Sequence, residues 1–182
     1  MRVAGRVLEL TTDAGVFSRN RVDPGTAVLL DVLPHLPSTG TLLDLGCGYG
    51  PIALTLAVER PQATVWAVDV NERARGLCAA NAAAASLTNV RVSAPEEVPP
   101  DIRFAAIVSN PPIRIGKEAL HELLGTWLGR LEPEGVAYLV VQKHLGADSL
   151  QRWLSDQGWS TSRIASRQAF RVLRCEARQP AE

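Results

Sequence analysis

Residues 41–60, TLLDLGCGYGPIALTLAVER, decide the fold class. TLLDL (41–45) is largely apolar, broken chiefly by Asp44, which is the pattern of a strand buried on both faces. The turn GCGYG (46–50) carries glycine at alternate positions, so its backbone can bend tightly. PIALTLAVER (51–60) reads as a helix whose Pro51 stands where a missing N–H costs nothing. Strand, glycine-rich turn and helix, in that order, open a parallel α/β sheet.

The alternation continues toward the C-terminus. TVWAVDV (64–70), NVRVS (89–93), FAAIVS (104–109) and GVAYLVV (135–141) read as further strands, and Asn71 caps the Ala-rich helix after the first of them. Helices are expected over 117–130 and in GADSLQRWLSDQG (146–158). STSRIAS (160–166) and AFRVLRCEA (169–177) read as an antiparallel pair at the edge of the sheet. Toward the N-terminus, RVLEL (6–10) alternates like a short strand and 11–25 is polar and turn-rich. Asp23 and Pro24 start a helix with Ala27, Leu30 and Leu33 on one face, ended by Pro34 and Pro37. With no linker or repeat, the expectation is a single domain over 1–182, with 1–25 as an N-terminal extension or lid.

At 46% apolar and 21% charged residues, the composition is that of an ordinary globular domain. Basic and acidic residues number 19 each, so no global field draws nucleic acid. Cys47, Cys78 and Cys175 lie far apart without metal-ligand spacing. With no secretion signal or membrane span in view, they imply a reducing, cytoplasmic setting with neither disulfide nor metal. The scattered His35, His121 and His144 read as surface or capping residues.

In such a sheet a ligand sits beyond the carboxyl ends of the strands, at the first strand–helix turn. A dinucleotide site asks for G-x-G-x-x-G, to receive a pyrophosphate at the helix start. Here the turn is G-x-G-x-G, preceded by Asp44. A carboxylate at that place suits an ammonium better than phosphates, and S-adenosylmethionine carries an ammonium, a sulfonium and no phosphate. Asp69, ending the second strand about 20 residues after the turn, would accept both hydroxyls of an adenosine ribose. The competing reading makes it the lead-in to a helix that Asn71 caps better. Ser93, or the backbone of Ala94, would lie by the adenine edge.

VSNPPIRIGK (108–117) poses a second question. The prolines stop a strand, because they lack an N–H and restrict the residue before them, but that leaves Asn110 without a reason. An exocyclic NH2 on a purine or an amide is a poor nucleophile, since its lone pair is delocalised. The Asn110 oxygen and the Pro111 carbonyl would accept its two hydrogens, favour a pyramidal nitrogen and aim the lone pair at a methyl donor. Orientation of this kind supplies about 7–11 kcal/mol of barrier lowering.

LLDLGCGYGPIAL (42–54), AVDVN (67–71) and SNPPIRIGK (109–117), in this order and spacing, resemble the small-domain methyltransferases with an N-P-P motif. The closest resemblance is to the ribosomal RNA small-subunit methyltransferase C family, which methylates the exocyclic N2 of a guanine. GVFSRNRVDPGT (15–26), VVQKHLGA (140–147) and FRVLR (170–174) also resemble that family's flanking segments. The resemblance implies a Rossmann-like class I methyltransferase fold, α/β, with a mostly parallel seven-stranded sheet. It implies S-adenosyl-L-methionine as cofactor, and ribosomal RNA or a ribosomal subunit as the partner of a monomer or homodimer. Asp44, Gly46, Cys47 and Gly48 would cradle the methionine part, Asp69 with Val70 beside it the ribose, and Ser93 the adenine side. Asn110, Pro111 and Pro112 would be the catalytic motif, with Asn110 also touching the cofactor. Ile113, Arg114, Lys117, Lys143 and Phe17 would face the substrate, Phe17 closing over cofactor or base. Arg19, Arg21, Arg114, Lys117 and Lys143 together would make a phosphate-binding rim.

Two departures from the family pattern stand out. Ile113 takes the place of an aromatic found in many N-P-P enzymes, adenine-N6 and protein-glutamine methylators among them. Base stacking worth about 1–3 kcal/mol must then come from elsewhere or be absent. Long members also carry a degenerate second copy of the domain, for which these 182 residues have no room. The alternatives are the same chemistry on adenine N6 or a protein glutamine, and a non-catalytic cofactor-binding module that recognises RNA or protein.

Overall fold

The computed structural model describes residues 1–12, 22–33 and 36–178. The chain opens with a short hairpin, β1 (Arg2–Val3) and β2 (Arg6–Val7), followed by α1 (Pro24–Leu30). From there strands and helices alternate: β3 (Thr39–Leu45), α2 (Pro51–Glu59), β4 (Gln62–Val68), α3 (Glu72–Ala84) and β5 (Val90–Ser93). Then come β6 (Phe104–Ser109), α4 (Lys117–Leu128), β7 (Leu131–Gln142), α5 (Ala147–Asp156), β8 (Thr161–Arg167) and β9 (Phe170–Glu176).

Seven strands form one sheet in the order β5-β4-β3-β6-β7-β9-β8. The first five are parallel, and β9 runs antiparallel between β7 and β8. This is the expected mostly parallel sheet with an antiparallel finish. The chain moves outward from β3 through β4 to β5, then returns to the other side of β3 with β6. The connections after β3 and β6 therefore part in opposite directions, and a crevice opens at their carboxyl ends.

Alternation along the strands divides the core into two layers. Leu42, Val65, Ala106, Val108, Tyr138 and Val172 face one layer, where Val28 and Leu29 of α1 and Ile52, Leu54 and Leu56 of α2 cover them. Leu43, Ile107, Leu139 and Leu173 face the other, under Leu120, Leu124 and Leu128 of α4 and Leu150 and Leu154 of α5. Helix α2 is buried throughout 51–57, being covered in turn by α1 and the N-terminal hairpin. Helices α4 and α5 are buried along one stripe only, the ordinary case for a surface helix.

The differences from expectation are local. RVLEL supplies only the Arg6–Val7 strand, paired with Arg2–Val3 across Ala4 and Gly5, both at positive φ. Helix α1 stops at Leu30, ahead of the prolines, because the Asp31 and Val32 N–H groups already close a turn on Ala27 and Leu29. Strand β4 stops at Val68, leaving Asp69 one residue beyond it, and β7 starts at Leu131, which pairs with Phe104. Residues 13–21 of the expected 1–25 extension, Phe17, Arg19 and Arg21 among them, lie outside the described residues, as does His35. Among the described residues no helix is long and apolar enough to cross a membrane.

Candidate active site

The bend after β3 is lashed to the end of β4. Gly46 and Cys47 N–H donate to the Val68 carbonyl at 2.8 and 3.0 Å, and Gly48 N–H donates to Asp69 Oδ2 at 2.9 Å. The three glycines of the bend do different jobs. Gly46 and Gly48, at φ of 78° and 55°, have open space where a Cβ would stand. Gly50, at φ of 98°, has none: a Cβ there would come within 2.6 Å of Leu54 Cδ1 and 2.8 Å of Cys78 Sγ. Two of them line a vacant side of the backbone, and the third lets α2 and α3 close together.

Asp44 follows Leu42 in the alternation and so points toward α2, where its Oδ2 accepts the Ala53 N–H at 2.8 Å. Its residue is fully buried, and its Oδ1 has no hydrogen-bond partner. Burial pushes this carboxyl up to about 8, against the Ala53 hydrogen bond, with the charge of Asp69 adding to the rise. An oxygen left without a partner in the interior is costly unless something answers it. Cys47 contributes backbone to the bend, while its thiol is buried beside Cys78, which together with burial raises its pKa.

Asp69 lies just past β4, half-buried. Its Oδ1 accepts the Asn71 N–H and its Oδ2 the Gly48 N–H, both at 2.9 Å. Helix α3 is capped by Asn71, whose side chain accepts from Arg73 and Ala74, so the Asp69 carboxylate is not spent on that cap. Arg75 donates to the carbonyls of Asp69 and Val70 and fixes the corner. Val70 itself is 81% exposed, an apolar side chain standing open beside the acid. At the end of β5, the Ser93 hydroxyl donates to the Ala94 carbonyl, and the Ala94 N–H is taken by the Glu97 carboxylate at 3.0 Å.

Because β6 pairs with β3 through Asp44↔Val108, Asn110 leaves the sheet beside the glycine bend. Its amide nitrogen donates to Asp23 Oδ1 at 2.9 Å and to Thr26 Oγ1 at 3.1 Å. Asp23 is close enough to Tyr49, in the bend, to help raise that phenol's pKa, after burial. Asn110 is thus held at the start of α1, by a residue that also lies near the bend. The Pro111 carbonyl accepts the Ile113 N–H at 2.8 Å, and Pro112 has φ −75° and ψ 76°, an inverse γ-turn that fixes the carbonyl's direction. Sequence reasoning identified Asp23 as a helix cap only; its contact with Asn110 spans 87 residues and leaves no local signal.

Beyond the prolines, Ile113, Lys117, His121, Val141, Gly146 and Ser149 line a cavity of about 150 Å³ between the starts of α4 and α5. Ile113 and Lys117 are thus brought together, whereas Lys143 is not in its lining. Arg114, Lys117 and Lys143 are all exposed. His121 stacks on Trp153 with ring centroids 3.8 Å apart, and burial followed by the Lys117 charge lowers its pKa.

The model of the methyltransferase small domain matches residues 7–174. The uncharacterized protein YbxB of Bacillus subtilis is 34% identical over 178 residues, 96% of this chain and 89% of that protein. Ribosomal RNA small subunit methyltransferase C of Shewanella loihica is 33% identical over 135 residues, 72% of this chain but 39% of its own length. Among solved structures, the T. thermophilus 16S rRNA N2 methyltransferase RsmC, in complex with AdoMet and guanosine, superposes with a TM-score of 0.83. It is 26% identical, over 98% of this chain and 49% of that one. The chain thus spans less than half the length of these two ribosomal RNA methyltransferases.

Proposed function

This chain belongs to the methyltransferase small domain family, and on that premise we propose that it methylates the exocyclic N2 of a guanine in small-subunit ribosomal RNA, with S-adenosylmethionine as the donor. The observation that carries the reading is the end of β6. There Asn110, with its amide nitrogen engaged by protein, and Pro111, with its carbonyl held by a γ-turn, stand next to the glycine bend. The relatives named as ribosomal RNA methyltransferases, and the neighbour holding AdoMet and guanosine, support it.

The residues of the bend fit this cofactor. The bare Oδ1 of buried Asp44 answers a cationic ammonium. The open sides of Gly46 and Gly48 leave room for an extended chain against the backbone. Asp69 keeps lone pairs for ribose hydroxyls, and exposed Val70 offers an apolar surface to a purine ring. A pyrophosphate fits poorly, because the Gly46, Cys47 and Gly48 N–H groups are already donated to Val68 and Asp69.

When bound, S-adenosylmethionine supplies an electrophilic sulfonium methyl. The remaining work falls to two acceptors. Guanine N2 carries two hydrogens, and the Asn110 oxygen and Pro111 carbonyl each take one, holding the nitrogen with its lone pair directed at the methyl. Both dipoles are fixed before the reaction and strengthen as positive charge builds on N2. No strong base is required, since the methylated nitrogen gives up its proton readily.

Small subunits from a strain lacking this protein, incubated with the protein and labelled S-adenosylmethionine, are expected to yield N2-methylguanosine on nucleoside mass mapping. Asn110→Ala should lower kcat by about 10²–10³-fold while cofactor affinity stays unchanged. Label appearing only in DNA adenine or in a release-factor glutamine overturns the guanine reading.

A further inference from the structure

We infer that Asp23, assisted by Thr26, is a positioning residue for the transfer step: it fixes the rotation of the Asn110 amide so that oxygen, not nitrogen, meets the target amine. This rests on the function proposed above. An asparagine amide is nearly symmetric in shape but opposite in chemistry on its two sides, one accepting and the other donating two hydrogens. Rotated by half a turn, Asn110 would present N–H groups to an amine that also presents N–H groups, and the grip would become a repulsion. Something must choose between the two rotations.

Asp23 makes that choice. A carboxylate accepts only, so the side of Asn110 facing Asp23 Oδ1 at 2.9 Å has to be the NH2. The second hydrogen of that NH2 goes to Thr26 Oγ1 at 3.1 Å. With both donors consumed, the group left to face the crevice is the carbonyl oxygen. The same Asp23 oxygen accepts the Gly25 and Thr26 N–H groups at 2.9 and 3.1 Å, which seats the carboxylate at the start of α1 and stops it from swinging away. Thr26 is buried and Asp23 half-buried, near Tyr49 of the bend, so the assembly is preformed.

The helix cap and the grip on Asn110 can be separated by experiment. Serine caps helices as well as aspartate does, but its shorter side chain reaches only the neighbouring N–H groups. Asp23→Ser is therefore expected to keep the fold and the affinity for S-adenosylmethionine while kcat on undermethylated small subunits falls about 10–100-fold and KM changes little. Asp23→Asn, which keeps an acceptor at the same reach, should recover most of the rate. In an Asn110→Ala background Asp23→Ser should cost nothing more. Independently of turnover, the Asn110 side-chain NH2 signals, assigned by their loss in Asn110→Ala, should be protected from exchange in the native cofactor-free protein and not in Asp23→Ser. Additive losses in the double variant, an undiminished rate in Asp23→Ser, or an Asp23→Asn as slow as Asp23→Ser overturns the inference. An Asn110→Ala protein that works at full rate overturns instead the function on which it rests.

Discussion

Asp44 is a carboxyl group wholly out of water, with one oxygen bonded to Ala53 N–H and the other bare. Its pKa, raised from 3.8 to about 8, means that the cofactor-free protein holds a proton there at neutral pH. The sign of the linkage follows. A folded-state value above the unfolded one favours folding most below about pH 4, and that contribution is lost as pH rises toward about 8. A cation arriving at the bare oxygen requires the carboxylate and expels the proton. Affinity for S-adenosylmethionine is therefore expected to rise by up to about tenfold per pH unit toward pH 8 and then level off. Titration calorimetry in buffers of different ionisation enthalpy should detect release of close to one proton at pH 7, and Asp44→Asn should abolish it. At this scale the sequence was legible wherever the signal was local. Asp44, Gly46, Gly48 and Asp69 lie within one strand–turn–helix unit and its successor. The link between Asp23 and Asn110 was not legible, because the helix-cap role already explains an aspartate before a proline.

The elements were legible for the same reason. FAAIVS matches β6 to the residue, and α2, α5, β8 and β9 differ from expectation only at their ends, because their apolar spacing or flanking turn residues mark them. Of the N-terminal hairpin only the second strand was legible, within RVLEL, since a strand as short as Arg2–Val3 cannot display an alternation. Nor could element spacing tell a glycine with open space beside it from one that leaves room for a helix. The two kinds should separate on substitution. Gly50→Ala forces a left-handed residue against Leu54 and Cys78 and should destabilise by about 2–4 kcal/mol in urea unfolding. Gly48→Ala carries only the backbone strain, about 1–2 kcal/mol. It should lower cofactor affinity at least about tenfold, because its methyl group enters the vacant side of the bend.

Over the whole molecule the charges balance, so any hold on RNA must come from where they sit. Lys117 lines the cavity behind Ile113, and Arg114 and Lys143 stand exposed in the segments that follow β6 and β7. Replacing all three with Ala should weaken RNA binding and flatten the plot of log affinity against log salt by about 2, at roughly 0.7 per single-strand phosphate contact. Affinity for S-adenosylmethionine should not change. Strand order was beyond the reach of element counting, because it depends on which side of β3 each crossover returns to. The order β7-β9-β8 has a further result. β9 follows β8 in the chain yet lies inside it in the sheet, so a nascent chain ending near residue 160 has built the crevice around β3 and β6 but leaves the outer flank of β7 bare. Unpaired flanks of that kind recruit other chains. Stalled synthesis of this protein should therefore produce aggregates, and not a smaller working enzyme, until Phe170–Glu176 has emerged to be zipped into place.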